Sequence, residues 1–242
     1  MDLSGKAALV TGGGIRLGKG IALALAGQRV RLVVHYNRSE AGAEDTVQQI
    51  RALGVEAVTL QADLALAGMA PNLIRRAIDA LGPLDFLINS AAIFDADSPA
   101  GMTDAAWDEQ FAVNLKAPFF LSLAFAAQVG RERRAQILNV ADASVGRPAA
   151  THLIYRLTKA ALVHMTKDLA IALAPNIQVN AVAPGAILPP VGQGQAYMDE
   201  LAKKIPALRV GSPEELAKAM LYLLHSDFVT GEIIYVSGGA HL

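Results

Sequence analysis

Short runs of β-branched and aliphatic residues recur along this chain, apolar on both faces and separated each time by a segment of helical length. A strand with one face in water alternates apolar and polar residues, so strands that do not alternate must be covered on both sides. Such strands, alternating with helices, specify a parallel sheet between two helical layers. The runs at 7–11, 30–35, 57–61, 85–89, 135–141, 178–183 and 233–236 read as seven strands. Helical spacing fills 17–27, 39–53, 69–81 and 153–174, and 103–130 holds helical material with an interruption expected near Pro118. Gly54, Gly82 with Pro83, and Pro175 stop three of these helices. Ser212-Pro213-Glu214-Glu215 starts another: a capping serine, proline in the first position, and glutamate three residues after the cap.

The expected architecture is one doubly wound α/β unit over 1–242, with helices on both faces of a parallel seven-stranded sheet. No repeat, linker or low-complexity tract breaks it. One irregular stretch, Pro184 to about Tyr197, is rich in glycine and proline. A loop of that length in a compact unit is usually functional or mobile, so the span 184–210 is assigned to a substrate loop.

Composition closes off other classes. With 53% hydrophobic and 18% charged residues the chain can bury a large core and is not disordered. A formal net charge of -1 gives no basic face for nucleic acid. The absence of cysteine removes disulfides, thiolate zinc sites and cysteine nucleophiles. The N-terminal residues lack the basic start and apolar stretch of a signal peptide. No apolar run is read as approaching the ~20 residues needed to span a bilayer. The expectation is a soluble, cytoplasmic protein without a nucleic-acid or membrane partner. Five histidines show no metal-binding arrangement, so no catalytic metal is expected.

Thr11-Gly12-Gly13-Gly14-Ile15-Arg16-Leu17-Gly18 follows the first strand and opens a helix. Glycines there permit a tight turn and let backbone N–H groups approach a pyrophosphate at the positive end of the helix. Dinucleotide sites that bind a free ribose carry an acidic residue about 20 residues further on. Here the second strand ends in His35-Tyr36-Asn37-Arg38-Ser39, with no carboxylate before Glu40. A guanidinium and a hydroxyl suit a 2′-phosphate, which favours NADPH over NADH. Asp63, after the third strand, is placed either to bind an adenine ring or to cap the next turn.

Tyr155 and Lys159 lie four apart near the start of the long helix, on one face and within mutual reach. A nearby ammonium favours phenolate, so the Tyr155 pKa is expected to fall from about 10 toward neutrality. A tyrosine tuned in this way transfers protons. Asp142 follows the fifth strand, and the turn Asn89-Ser90-Ala91-Ala92 follows the fourth. Ligands of open α/β sheets bind at the carboxyl ends of the strands, so these elements are expected to converge on one edge.

Together these positions resemble the short-chain dehydrogenase/reductase family, with its Rossmann-type fold, over essentially the whole chain. The resemblance rests on Thr11-Gly12 with Gly18, Asp63, the Asn89 turn, Asn114, Tyr155 with Lys159, Asn180, Pro184-Gly185, and the ending from Thr230-Gly231 to Gly238-Gly239. It implies NADPH held by Gly12, Arg16, Leu17, Tyr36, Asn37, Arg38 and Ser39. Asp63, Leu64, Asn89, Ala91, Lys159, Pro184 and Gly185 are implied to complete that set. Lys159 is implied to bind the nicotinamide ribose, and Asn114 to hold a water in a proton relay. A homotetramer built through helix pairing is also implied.

Two positions depart from the common family pattern. Arg16 stands where glycine is usual, and Asp142 where a serine usually donates to a substrate carbonyl. An ionised carboxylate cannot donate that bond. Both departures are similar to the pteridine reductase branch, including its dihydromonapterin and dihydrofolate reductases. In that branch Phe94 matches an aromatic that sandwiches the pterin against nicotinamide. Arg16 matches a residue contacting pyrophosphate and substrate. The resemblance thus implies an NADPH-dependent pterin or dihydrofolate reductase with Asp142, Tyr155, Lys159 and Asn114 catalytic. Arg16, Phe94, Asp142 and Tyr155 are implied to touch substrate.

Plainer roles stay open beside these. Phe94 could be loop packing, Asp142 a cap, and Arg16 a phosphate ligand only. Tyr197 and Met198 read as a packed helix face. An NADPH-dependent carbonyl reductase, for 3-oxoacyl or ketone substrates, is the alternative. A nucleotide-binding regulator without turnover is a third reading, which the Tyr155–Lys159 pair disfavours.

Overall fold

The computed structural model describes residues 2–95, 101–130 and 133–242. The apolar runs become β1 (Ala7–Val10), β2 (Arg31–Tyr36), β3 (Ala57–Gln61), β4 (Phe86–Asn89), β5 (Ala135–Val140), β6 (Ile177–Pro184) and β7 (Ile233–Val236). They form one seven-stranded sheet in the order β3-β2-β1-β4-β5-β6-β7, parallel throughout. The order reverses between β1 and β4, which opens a crevice at the carboxyl ends of those strands.

Helices α1 (Arg16–Gly27), α2 (Glu40–Ala52) and α3 (Met69–Leu81) follow the first three strands. Next come α4 (Asp104–Phe111), α5 (Ala117–Val129), α6 (Leu153–Ala172), α7 (Gln195–Ala202) and α8 (Pro213–His225). The pleat of β1 shows why both sheet faces must be apolar. Ala8 and Val10 pack with Ile21, Leu25, Ile50 and Leu223 from α1, α2 and α8. Ala7 and Leu9 pack with Leu73, Leu121, Phe125 and Leu169 from α3, α5 and α6. Each such leucine buried contributes roughly 2 kcal/mol, so a polar residue on either face would be costly.

Polar residues do enter the sheet, and two sets of them pair across neighbouring strands. Asn89 on β4 lies level with Asn139 on β5 and donates from Nδ2 to its Oδ1 at 2.8 Å. Asn139 passes the chain on to Thr166 of α6 at 2.9 Å. Gln136 on β5 lies level with Gln178 on β6 and donates to it at 3.0 Å.

The start of α8 is as expected, a complete capping box between Ser212 and Glu215 with Pro213 in the first turn. The interruption expected near Pro118 is a π-helical stretch, Ala112–Lys116, and Pro118 follows it in the first turn of α5. Two expectations change. The stretch from Pro184 is irregular only to Gly194, because α7 begins at Gln195 and buries Met198. Finally, the run Asp104–Val129 is long and apolar enough, by length and composition, to cross a membrane. Here Leu121, Phe125 and Val129 lie in the core instead.

Candidate active site

The cradle is shaped by close backbone approach. Gly12 has φ +63, and a Cβ there would lie 2.9 Å from Ala91 Cα. A Cβ on Gly18 would lie 2.0 Å from the Gly12 carbonyl oxygen, so α1 can seat against the turn only through glycine. The Thr11 hydroxyl accepts from the Ser90 and Ala91 amides at 3.0 and 3.1 Å, joining β1 to the turn after β4 at the switch point. Ile15, the residue capping α1, makes no side-chain cap, and the first turn carries no acidic residue. The positive helix end is thus left for an external anion. Leu17 packs partly buried against the core below it.

His35, at the end of β2, is the support that sequence reading missed. Its Nδ1 accepts from the Gly12 amide at 3.2 Å, and Nε2 faces the Ala62 carbonyl at 3.0 Å. Burial pushes its pKa down to about 4, so the ring is neutral at physiological pH and able to accept. Tyr36 donates to Glu40 at 3.3 Å, Asn37 accepts from Gln61, and Ser39 caps α2 by backbone position. Arg38 is exposed at the cradle's edge. Asp63 accepts from the Ala65 amide at 3.0 Å, which is the turn-capping geometry, and Leu64 beside it is buried.

Arg16 adopts φ +53, a left-handed conformation that disfavours any residue with a Cβ. This explains locally why glycine would be easier there. Its guanidinium donates to the Pro189 carbonyl at 2.7 Å, linking the cradle to the 184–194 stretch. Pro184 ends β6, and Gly185 donates to the Val236 carbonyl at 3.0 Å while lying against Ser237.

The second half of the site comes from β5 and α6. Asp142 serves two partners. Oδ1 accepts from the Ser144 amide at 2.7 Å and caps the 3₁₀ turn Ala143–Gly146. Oδ2 accepts from the Tyr155 hydroxyl at 3.1 Å. The capping role and the Tyr155 contact therefore coexist. Arg156 ties the same turn to α6 by donating to the Ser144 carbonyl at 2.8 Å.

The expected fall in the Tyr155 pKa is not found. Burial, then the negative charge of Asp142 and its hydrogen bond, push the phenol well above its ordinary value of 10. Lys159 does not offset this, because its Nζ donates to the Val140 carbonyl at 2.7 Å and lies 5.6 Å from the Tyr155 ring centroid. Lys159 is itself fully enclosed, and burial lowers it to about 8 against the opposing pull of Asp142.

Asn114 lies in the π-helical stretch, an irregularity often found at functional sites. Its side chain pairs with both backbone groups of Ile93, accepting at 2.8 Å and donating at 2.9 Å, and reaches Thr158 at 3.3 Å. It therefore fixes the segment carrying Phe94 against α6. Phe94 is half-exposed, with its ring stacked on His152 and edge-on to Tyr155. His152 was also missed, although it precedes Tyr155 by only three residues, at the cap of α6.

A family model described as enoyl-(acyl carrier protein) reductase matches residues 14–241. The chain belongs to the short-chain dehydrogenase/reductase family. Among curated members, 3-oxoacyl-[acyl-carrier-protein] reductase FabG of Staphylococcus aureus is 34% identical over 246 residues, covering 98% of each chain. Among solved members, FolM alternative dihydrofolate reductase 1 of Brucella suis, in complex with NADP, superposes with a TM-score of 0.94. It is 34% identical, over 100% of this chain and 96% of that one. A blue fluorescent protein from a metagenomic library, in complex with NADPH, gives a TM-score of 0.91 at 30% identity, over 99% of each chain.

Proposed function

We propose that this short-chain dehydrogenase/reductase is an NADPH-dependent reductase of a pterin- or dihydrofolate-type ring, acting on a C=N bond. The observation that carries the reading is the Tyr155 hydroxyl donating to Asp142 Oδ2 at 3.1 Å, a carboxyl where a ketone reductase needs a donor. The likeness to a FolM dihydrofolate reductase in complex with NADP supports it.

The cradle fits the cofactor's anionic groups. Gly12 and Gly18 let the turn close tightly where a Cβ would collide with backbone, and α1 presents amides without a side-chain cap. Arg16 and Arg38 add positive charge, and Arg38 would pair with a ribose 2′-phosphate. Bound there, NADPH would supply a hydride to the ring carbon.

The chain's own residues supply the proton. Tyr155, its pKa raised by burial and by Asp142, holds its hydroxyl hydrogen throughout the neutral range. Turned from Asp142 toward the ring nitrogen, that hydrogen passes to it as the carbon is reduced, and the phenolate then regains a proton from water. Lys159, an ammonium below its pKa of about 8, is held on the Val140 carbonyl and brings positive charge into the site without bonding the phenol oxygen. Asp142 orients the phenol, and Asn114 holds the Phe94 segment in place.

Reduction of a 3-oxoacyl thioester is the second reading, favoured by the 34% identity to FabG. NADPH oxidation followed at 340 nm with dihydropterins, dihydrofolate and a 3-oxoacyl thioester decides between them. Turnover of a ring substrate is the expected result. Turnover of the thioester alone would establish the second reading, and turnover of none would sink both.

A further inference from the structure

His152 belongs to none of the motifs used above. It stands at the cap position before α6 with φ +55, a left-handed conformation uncommon outside glycine, which histidine enters more readily than most residues. That twist aims the side chain across the site. The imidazole lies flat on the Phe94 ring, with centroids 4.3 Å apart and planes 5° from parallel. Phe94 in turn meets the Tyr155 ring edge-on, at 4.7 Å and 80°. Three rings from two distant segments thus form one ordered set, anchored to α6 through His152 and Tyr155.

Phe94 needs such an anchor. It sits on a connecting segment, and the nearest firm hold is the Asn114 clasp on Ile93. A half-exposed phenylalanine on a loop turns about two side-chain bonds, and freezing that motion on binding weakens affinity. A flat ring laid on one face removes that freedom in advance. It covers one face only, and the Phe94 side chain stays half-exposed.

We infer that His152 is a positioning residue whose stacked imidazole fixes Phe94 perpendicular to Tyr155, so that the exposed part of the Phe94 ring is a fixed platform for a flat, conjugated substrate. The platform part rests on the proposed ring substrate, whereas the stack does not. The contact is packing of one ring on another, so its loss should appear in substrate binding and not in the chemical step.

The test uses the full chain with NADPH and a dihydropterin, in His152→Ala, His152→Phe, Phe94→Ala and the His152→Ala/Phe94→Ala double variant. His152→Ala should raise KM about three- to tenfold, the range of an aromatic pair, with kcat and the NADPH Kd within about twofold of the parent. His152→Phe, which keeps a flat face, should restore KM. The double variant should be no worse than Phe94→Ala alone, since the two residues act as a unit. Additive losses, a His152→Phe as poor as His152→Ala, or a fall in kcat at unchanged KM would each overturn the inference.

A second arm needs no substrate. Trp107 is the chain's single tryptophan, so Trp107→Phe/Phe94→Trp places one indole at the stack. A stacked imidazole quenches indole emission, and adding His152→Ala should raise the intensity and lower the anisotropy. Unchanged emission would mean that the rings do not stack in solution, and the inference fails. Turnover of the thioester alone would overturn the ring-substrate reading and the platform with it, while the emission still reports on the stack.

Discussion

His35 couples the stability of the fold to pH through the cradle itself. The side chain is 2% exposed and its pKa is lowered from 6.5 to about 4, chiefly by burial. Protonation would put a hydrogen on Nδ1, facing the Gly12 N–H that it now accepts at 3.2 Å. The folded pKa lies below the unfolded one, so the unfolded chain binds the proton first as pH falls. Stability is unaffected above pH 6.5 and declines from there down to about 4. With those two values, linkage gives a loss of about 0.8 kcal/mol at pH 6, about 2 at pH 5 and about 3 at pH 4.

The control is His35→Gln, which keeps an acceptor and a donor at similar reach but does not titrate. Urea unfolding of both proteins at pH 7.5, 6 and 5 gives the comparison. The stability difference between them should shift by about 2 kcal/mol against the parent between pH 7.5 and 5. Curves that stay parallel to within about 0.5 kcal/mol would show that His35 is not held neutral, and the account of the cradle would be wrong.

Tyr155→Phe removes the transferable proton and should cut reduction about a hundredfold or more, with NADPH binding intact by fluorescence titration; a near-parent rate would take Tyr155 out of the chemistry. Asp142→Ser exchanges an acceptor for a donor and should shift the ratio of kcat/KM values from the ring substrate toward the thioester, whereas a constant ratio contradicts the role given to Asp142. Lys159 has its folded pKa below the unfolded one, so the cost of the buried ammonium sets in below pH 10.5 and is complete below about 8. Lys159→Met should therefore abolish activity yet gain about 2 kcal/mol at pH 7 after losing its bond to Val140, and a lower Tm than the parent would refute this. Arg38→Ala should weaken NADPH binding about tenfold and leave NADH unchanged, as expected for one lost pairing with phosphate; equal loss for both cofactors would remove Arg38 from the 2′-phosphate.

The sheet was legible because its evidence is local. Strands without polar alternation state their own burial, and the Gly12 turn and the Ser212 box announce themselves within a few residues. The Asp142–Tyr155 contact was half legible. Strand ends and helix starts could be placed on one edge, but not which carboxyl oxygen caps the turn and which meets the phenol. The Tyr155 pKa was misjudged because spacing along a helix gives proximity and says nothing of aim. The Lys159 stem carries its nitrogen to Val140. The contacts made by His35 and Arg16 could not be read for a related reason. Their partners, Gly12 and Pro189, lie 23 and 173 residues away in sequence, beyond any spacing rule.

The paired amides inside the sheet have a consequence for alignment. Where both faces of a strand are greasy, sliding it by one residue brings no apolar group into water, so burial alone does not choose among neighbouring alignments. A slip of β5 against β4 would shift Asp142 about 3.3 Å along the strands relative to the Gly12 turn and would turn Asn139 to the opposite face, away from Asn89. The two amides would then be buried without each other. Asn89 with Asn139, and Gln136 with Gln178, thus work as keys cut to one setting: they add little cohesion, but they set the height at which the carboxyl ends of β1, β4 and β5 arrive together.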